Sequence, residues 1–118
     1  MYTAAVVTVS DKGFAGERED KSGLFLQEVL AKDGYEVVHY AIVPDERVLI
    51  ADALRALADE RGVNLVLTTG GTGFSSRDCT PEATLEVVEK QCPGIPEAMR
   101  SMSMAITKRA MLTRHTAG

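Results

Sequence analysis

The residues best suited to chemistry form a short glycine-rich segment in the second half of the chain, Thr69–Gly73, which reads Thr-Gly-Gly-Thr-Gly. Glycines let backbone amides approach an anion closely, and the threonine hydroxyls add further hydrogen-bond donors. The segment lacks the Gly-Lys-Ser/Thr ending of a Walker A loop and the G-x-G-x-x-G spacing of a dinucleotide-binding turn. We therefore expect a phosphate or pyrophosphate to bind here; the alternative is a tight strand-to-helix turn without a ligand.

Two carboxylates are candidates to act beside this segment: Asp78, which follows it in the same loop, and Asp45, which follows an earlier apolar run. A carboxylate next to a bound phosphate is electrostatically unfavourable unless a divalent cation lies between them. Mg²⁺ is typically held by one or two carboxylates together with substrate phosphates. We expect Asp45 and Asp78 to be catalytic and to bind Mg²⁺, with helix N-capping as the structural alternative for each.

Further polar residues follow the first apolar run. Ser10 and Asp11 end that run, and Lys21 and Ser22 lie near the start of the next predicted helix. Groups at such a position suit contact with a phosphate or a polar heterocycle. The charged run Glu17–Asp20 is more typical of a solvated loop face than of a ligand set.

These candidate loops are placed by an alternation of apolar β-branched runs and helical patterns. The predicted strands are Thr3–Val9, Tyr35–Val43 and Val63–Thr68, and the predicted helices are Ser22–Lys32, Asp45–Arg61, Glu82–Lys90 and Ile95–Lys108. The alternation predicts a mostly parallel sheet with helices on both faces, a three-layer α/β/α fold. In such sheets ligands bind beyond the carboxyl ends of the strands, which selects the loops Ser10–Asp20, Pro44–Glu46 and Gly70–Thr80.

The C-terminal part of the chain carries apolar residues that one helix cannot bury on a single face. Met99, Met102 and Met104 fall on more than one face of the last predicted helix. They indicate a subunit interface or, as the alternative, contact with chain beyond Gly118. Residues Ala110–His115 would begin another strand. We therefore expect one domain over residues 1–118, truncated at its C-terminus.

Composition excludes several classes of protein. Hydrophobic residues make up 45% of the chain and charged residues 25%, as in ordinary globular domains. The formal net charge of −4 argues against a nucleic-acid partner. No apolar run approaches the roughly 18 residues of a membrane span, and no basic segment precedes a signal-like apolar stretch. We expect a cytoplasmic protein with no membrane partner and with both cysteines reduced.

Several blocks of the sequence together resemble the MogA/MoaB family. The most specific is the glycine-rich segment followed by Arg77-Asp78 and by Thr80-Pro81-Glu82-Ala83-Thr84. Other matching blocks are Val9–Asp11, Gly16–Gly23, Val43–Glu46, Pro93–Arg100 and Met111–Arg114. The resemblance covers essentially the whole chain in the family's order. The chain departs from the family pattern at Ser76, where proline is usual, at Cys79, where valine is usual, and in lacking the family's later Asn-x-Pro-Gly loop.

The resemblance implies a three-layer α/β fold, a homotrimer, and adenylyl transfer from Mg²⁺-bound ATP to the terminal phosphate of molybdopterin. The family's two important acidic positions correspond to Asp45 and Asp78. Its glycine-rich pterin- and phosphate-binding loop corresponds to Thr69, Gly70, Gly71, Thr72 and Gly73. Ser10, Asp11 and Ser75 complete the expected substrate-binding set, and a molybdenum-insertion enzyme is a candidate partner.

Two other functions stay open at this point. One is a non-catalytic molybdopterin-binding paralogue, for which the missing C-terminal loop argues and against which both aspartates argue. The other is a scaffold domain of the kind found in larger proteins. An ATP-dependent adenylylation assay separates them.

Overall fold

Three strands and five α-helices alternate along residues 1–118 of a computed structural model. The elements, in chain order, are β1 Thr3–Val9, α1 Asp11–Phe14, α2 Lys21–Lys32, β2 Glu36–Val43, α3 Arg47–Arg55, β3 Leu65–Thr69, α4 Thr80–Val87 and α5 Gly94–Met104. One π-helical turn, Ala56–Glu60, extends α3, and a 3₁₀ helix, Lys108–Leu112, follows α5. None of the helices combines the length and the apolar character that crossing a bilayer requires.

The sheet is parallel and has the strand order β2-β1-β3. The central strand β1 is the most apolar of the three, and its residues Ala4–Val9 are all buried. Near the carboxyl edge Thr8 pairs with Thr69, and Val9 pairs with Val43. The loops that follow the three strands therefore leave the sheet at the same edge, as the sequence predicts.

Alternating side chains of β1 enter two separate cores. Ala5, Val7 and Val9 pack with buried side chains of α3 and α4, whereas Ala4 and Val6 pack with those of α2. Helices therefore cover both faces of the sheet, and the predicted three-layer α/β/α arrangement is confirmed.

Four local predictions need correction. The loop Asp11–Asp20 contains the helical turn α1, because the Gly13 N–H donates to Ser10 Oγ at 3.0 Å and caps it. The strand predicted from Ala110 is wrong: a 3₁₀ helix occupies Lys108–Leu112, started by the Thr107 hydroxyl, which accepts from the Arg109 N–H. Helix α5 ends at Met104 instead of Lys108, and α3 begins at Arg47 instead of Asp45.

The N-terminus of α2 is joined to two strands by one carboxylate. Asp20 accepts hydrogen bonds from the Gly23 N–H at 3.0 Å, from the Thr8 hydroxyl at 2.6 Å and from the Tyr40 hydroxyl. Gly23 is buried against these groups, so a methyl group there would collide with the Asp20 carboxylate and lie 2.6 Å from the Thr8 oxygen. Only glycine fits where α2 crosses the sheet.

We expect Gly23→Ala to lower the free energy of unfolding by about 1–3 kcal/mol, as overpacked sites do. Alanine ordinarily favours a helix over glycine by about 1 kcal/mol, so the sign of the effect identifies the steric cause. Gly94→Ala is the matched control, because Gly94 is also helical and its added methyl group would meet nothing within 4 Å. Urea unfolding measures both; equal changes in the two variants contradict the packing account.

Candidate functional site

One carboxylate connects the three loops at the edge of the sheet. Asp11 Oδ1 accepts from the Asp45 N–H at 3.0 Å and from Arg77 Nη2 at 2.8 Å, and Asp11 Oδ2 accepts from Arg77 Nε at 2.9 Å. The hydrogen bonds from Arg77 and then from the Asp45 amide hold the pKa of Asp11 below its usual value. Asp11, expected to bind substrate, therefore has both oxygens engaged by the protein and fixes the loops relative to one another.

The glycine-rich loop has the backbone geometry that its sequence predicts. Gly70 and Gly71 have φ values of 94° and 69°, in the left-handed region that side chains disfavour. A methyl group on Gly70 would collide with the carbonyl oxygen of Val9. One on Gly71 would collide with the Thr80 hydroxyl and lie 3.0 Å from Asp45 Oδ1. The loop is therefore in close contact with both β1 and the Asp45 carboxylate.

Four consecutive carbonyl groups of this loop are held by two residues outside it. Thr80 donates to Gly70 O from its hydroxyl at 2.9 Å and to Gly71 O from its N–H at 3.1 Å. Arg114 donates to Thr72 O from its N–H at 2.8 Å and to Gly73 O from Nε at 2.7 Å.

The amides on the opposite side of those peptides are free. In a planar trans peptide the N–H points away from the carbonyl of the preceding residue, so the N–H groups of residues 71–74 point away from Thr80 and Arg114. None of these four N–H groups donates a hydrogen bond within the chain. Successive free amides of this kind suit an anion.

Asp45 has no structural role as a helix cap. Position Glu46 precedes the first residue of α3 and makes no side-chain capping bond, so the capping interpretation of Asp45 is wrong. Asp45 Oδ1 is buried and has no hydrogen-bond partner. Burial raises the pKa of Asp45, and the carboxylates of Asp11 and Asp78 raise it further. Since a buried carboxylate oxygen without a partner is costly, a cation or a substrate donor is the natural ligand for it.

Asp78 shapes the loop instead of capping α4. Its Oδ2 accepts from the Ser75 N–H at 3.1 Å, and a methyl group on Gly73 would lie 2.9 Å from the same oxygen. The residue before α4 is Cys79, which makes no side-chain capping bond, so the capping interpretation of Asp78 is also wrong. Ser75 contributes its amide to this turn, and its side chain is exposed.

Asp45 and Asp78 supply some, but not all, of the ligands that Mg²⁺ requires. No group of three or more His, Cys, Asp or Glu side chains in the structure is suited to hold a metal ion. Asp45 and Asp78 nevertheless approach the glycine-rich loop at Gly71 and Gly73, and Asp45 Oδ1 lacks a partner. Two carboxylates beside a loop with free amides fit Mg²⁺, provided that phosphates and water supply its remaining ligands.

A cleft of about 600 Å³ opens beside Thr69 and Gly70. It is lined by Thr8, Val9, Ser10, Gly13, Arg18, Glu19, Asp20, Lys21, Ser22, Thr69 and Gly70. Five of the residues considered for substrate contact thus share this cleft: Ser10, Lys21, Ser22, Thr69 and Gly70. Asp45 and Asp78 are not part of its lining, so the candidate site has two neighbouring parts that meet at the glycine-rich loop.

The charged run Glu17–Asp20 is exposed at Glu17, Arg18 and Glu19, as predicted for a solvated loop face, whereas Asp20 is half-buried. Glu19 and Asp20 line the cleft, and Asp20 accepts the bonds from Thr8 and Tyr40 described above. Burial raises the pKa of Asp20, but the hydrogen bonds outweigh it and the net pKa is lowered. Burial together with the bond to Asp20 raises the pKa of Tyr40 to about 12.

Sequence reasoning did not assign functions to Arg77, Thr80 or Arg114. Thr80 is the first residue of α4, and its hydroxyl holds the Gly70 carbonyl. Arg114 belongs to a block that carries the family resemblance, which is the only signal that pointed to it. Its partners lie more than thirty residues away in sequence, so spacing within the chain could not identify them.

Known proteins share both the sequence and the fold. A molybdopterin adenylyltransferase of Helicobacter pylori (strain J99) is 45% identical over 115 residues, which are 96% of this chain and 65% of that protein. One of Pyrococcus furiosus is 45% identical over 118 residues, which are 99% of this chain and 68% of that protein. The chain thus spans about two thirds of the length of these curated relatives.

Solved structures agree. The molybdopterin biosynthesis enzyme MoaB of Thermus thermophilus has a TM-score of 0.91 at 48% identity, covering 100% of this chain and 74% of that one. The tungsten cofactor synthesizing protein MoaB of Pyrococcus furiosus has a TM-score of 0.90 at 42% identity, covering 99% and 72%. The family described as a probable molybdopterin binding domain matches residues 5–118. The chain therefore belongs to this molybdopterin binding domain family, as its resemblance to MogA and MoaB sequences predicts.

Proposed function

We propose that the chain carries the active site of a molybdopterin adenylyltransferase, which transfers AMP from Mg²⁺-bound ATP to the terminal phosphate of molybdopterin. The relatives that bear this name support the proposal. The observation that carries it is the row of four free amides at residues 71–74, with the unpartnered Asp45 oxygen beside it. Such a site suits a phosphate chain that arrives with a cation.

In the proposed reaction an oxygen of the molybdopterin phosphate attacks the α-phosphorus of ATP. The new P–O bond forms as the bond between the α-phosphorus and the bridging oxygen breaks, and pyrophosphate leaves. No covalent intermediate with the protein is needed. The chain's own contribution is to position the two phosphates and to stabilise the negative charge with the amides of residues 71–74.

Asp45 and Asp78 would hold Mg²⁺ in this scheme. When bound, the ion would supply positive charge to neutralise the phosphates. Asp11 positions these two carboxylates without holding the ion itself. Its hydrogen bond from the Asp45 N–H fixes the backbone at Asp45, and its hydrogen bonds from Arg77 hold the loop that carries Asp78. The cleft beside Gly70, with Ser10, Thr69, Lys21 and Ser22, would take the remaining polar part of a substrate.

The oligomeric state, the cellular location and the partner protein are also proposals. We infer a homotrimer in the cytoplasm whose product passes to a molybdenum-insertion enzyme. The number of subunits comes from the family resemblance. Exposed apolar side chains in and just after α5 support association between subunits: Met99 is 52%, Met102 76% and Ile106 89% exposed.

Replacing Asp45 by asparagine separates its charge from its shape. Because the pKa of Asp45 is raised in the fold, ionisation destabilises the folded state as pH rises above the ordinary value of 3.8. We expect Asp45→Asn to abolish AMP transfer and yet to raise the melting temperature at pH 7, with the gain shrinking toward pH 4. It should also remove the Mg²⁺ dependence of ATP binding. Unchanged turnover would exclude a catalytic role for the carboxylate.

Gly71→Ala tests the close approach at the glycine-rich loop. The added methyl group meets the Thr80 hydroxyl and the Asp45 carboxylate, so we expect the affinity for ATP to fall by about tenfold or more. Gly62→Ala is the matched control, since Gly62 also has a positive φ, 61°, but its methyl group would meet nothing within 4 Å. Calorimetric titration with ATP measures both. If both variants retain ATP affinity, the loop is only a turn.

The trimer is tested by sedimentation equilibrium of the full-length protein. We expect a mass of three chains, and we expect Met102→Glu to shift it toward the monomer, because the substitution places a charge in an apolar contact. A wild-type protein that sediments as a monomer contradicts the proposal.

A catalysis assay also distinguishes the proposal from its main rival. A protein that binds molybdopterin but forms no adenylylated product with Mg²⁺-bound ATP is a non-catalytic relative, and the proposed function is then wrong.

A further inference from the structure

Arg114 occupies a central position beneath the glycine-rich loop, although it lies in a terminal segment with no helix or strand. Its Nε donates to Gly73 O at 2.7 Å, its Nη2 donates to Asp78 O at 3.1 Å, and its Nη1 pairs with Glu82 at 2.7 Å. The guanidinium also lies 5.4 Å from the centre of the Phe74 ring. Only 28% of this side chain is exposed, which is less than for any other arginine in an ion pair of this chain.

The two carbonyls held by the side chain belong to peptides that have no other support. Gly73 and Asp78 lie outside every helix and strand, and no other group donates to their carbonyl oxygens. Fixing the Gly73 carbonyl sets the Phe74 N–H on the opposite side of the same peptide, away from Arg114. Fixing the Asp78 carbonyl sets the backbone from which the second candidate carboxylate extends.

We propose that Arg114 is a positioning residue for phosphate binding. It holds the carbonyl side of the loop so that the Phe74 amide completes the anion site, and it orients Asp78 without touching the ligand. The planar guanidinium is suited to this, because its fork donates in three fixed directions at once, to Gly73, Asp78 and Glu82. The inference rests on the proposed function in one respect, that the group bound at the loop is a phosphate.

A simpler role for Arg114 would be to anchor the terminal segment to the rest of the domain. The chain offers a matched control for that role in Arg100. Its Nη1 donates to Thr113 O at 3.2 Å and to His115 O at 3.1 Å, so it holds the same segment on both sides of Arg114. It makes no hydrogen bond to the glycine-rich loop.

The experiment measures binding of inorganic pyrophosphate to the full-length protein by calorimetry, in the wild type and in Arg114→Gln, Arg114→Lys and Arg100→Gln. We expect Arg114→Gln to bind about tenfold more weakly, the scale of a lost charge-assisted hydrogen bond, and Arg100→Gln to bind like the wild type. Arg114→Lys keeps the charge but loses the fork, so it should remain weakened. If Arg114→Gln does not fold, as judged by circular dichroism, the lysine variant decides.

A spectroscopic readout separates positioning from general loosening. In the wild type, pyrophosphate should shift the amide NMR signals of residues 71–74. In Arg114→Gln the Phe74 signal should no longer respond, whereas Gly71 should still respond, because Thr80 continues to hold the Gly70 carbonyl.

Equal binding in Arg114→Gln and the wild type, or an equal loss in Arg100→Gln, overturns the inference alone. Arg114-dependent pyrophosphate binding without AMP transfer supports the inference and overturns the proposed function. A wild-type protein that binds no pyrophosphate overturns both.

Discussion

The burial of β1 on both faces is the constraint that determines where this molecule can carry chemistry. Ala4–Val9 are at most 5% exposed, and helices lie against both sides of the strand. A charged group within such a strand would have to leave water without compensation. The first charged side chain therefore appears only beyond the strand, at Asp11, and this carboxylate then binds the loops that follow β2 and β3. The buried strand and the polar edge are two consequences of the same arrangement.

The charge balance at that edge is incomplete within the protein. Asp11 is paired with Arg77, and Glu82 is paired with Arg114, but Asp45 has no cationic partner and keeps one oxygen without any donor. Its raised pKa reports the cost of holding a carboxylate near Asp11 and Asp78 in a partly buried place. A nucleoside triphosphate would add further negative charge to the same region. The Mg²⁺ ion that we propose would resolve both problems together, because phosphate oxygens and carboxylates are its usual ligands.

The strands, the shared edge of the sheet and the close backbone approach at the glycine-rich loop could be predicted because they follow from local patterns. The residues that cap the helices were harder to predict. Helix α3 begins at Arg47, two residues later than predicted, so Asp45 does not cap it and remains a free carboxylate. Asp20 was misread for a different reason. Its partners Thr8 and Tyr40 lie on two strands that only the fold brings together, so a charged run in the sequence concealed an internal hydrogen-bond network. The role of Arg114 was hidden for the same reason, because its partners lie even further away along the chain.

The glycine-rich loop illustrates why such distant residues matter. Three glycines in five residues give the amides access to a ligand, but glycine also loses more conformational freedom on ordering than any other residue. A loop of this composition would order only on binding, at a cost to affinity, unless other groups hold it beforehand. Thr80 and Arg114 do so from the carbonyl side, where they leave every amide from Gly71 to Phe74 unoccupied. The amide side of the loop, where we propose that phosphate binds, can therefore stay free of protein contacts because Thr80 and Arg114 order the loop from its carbonyl side.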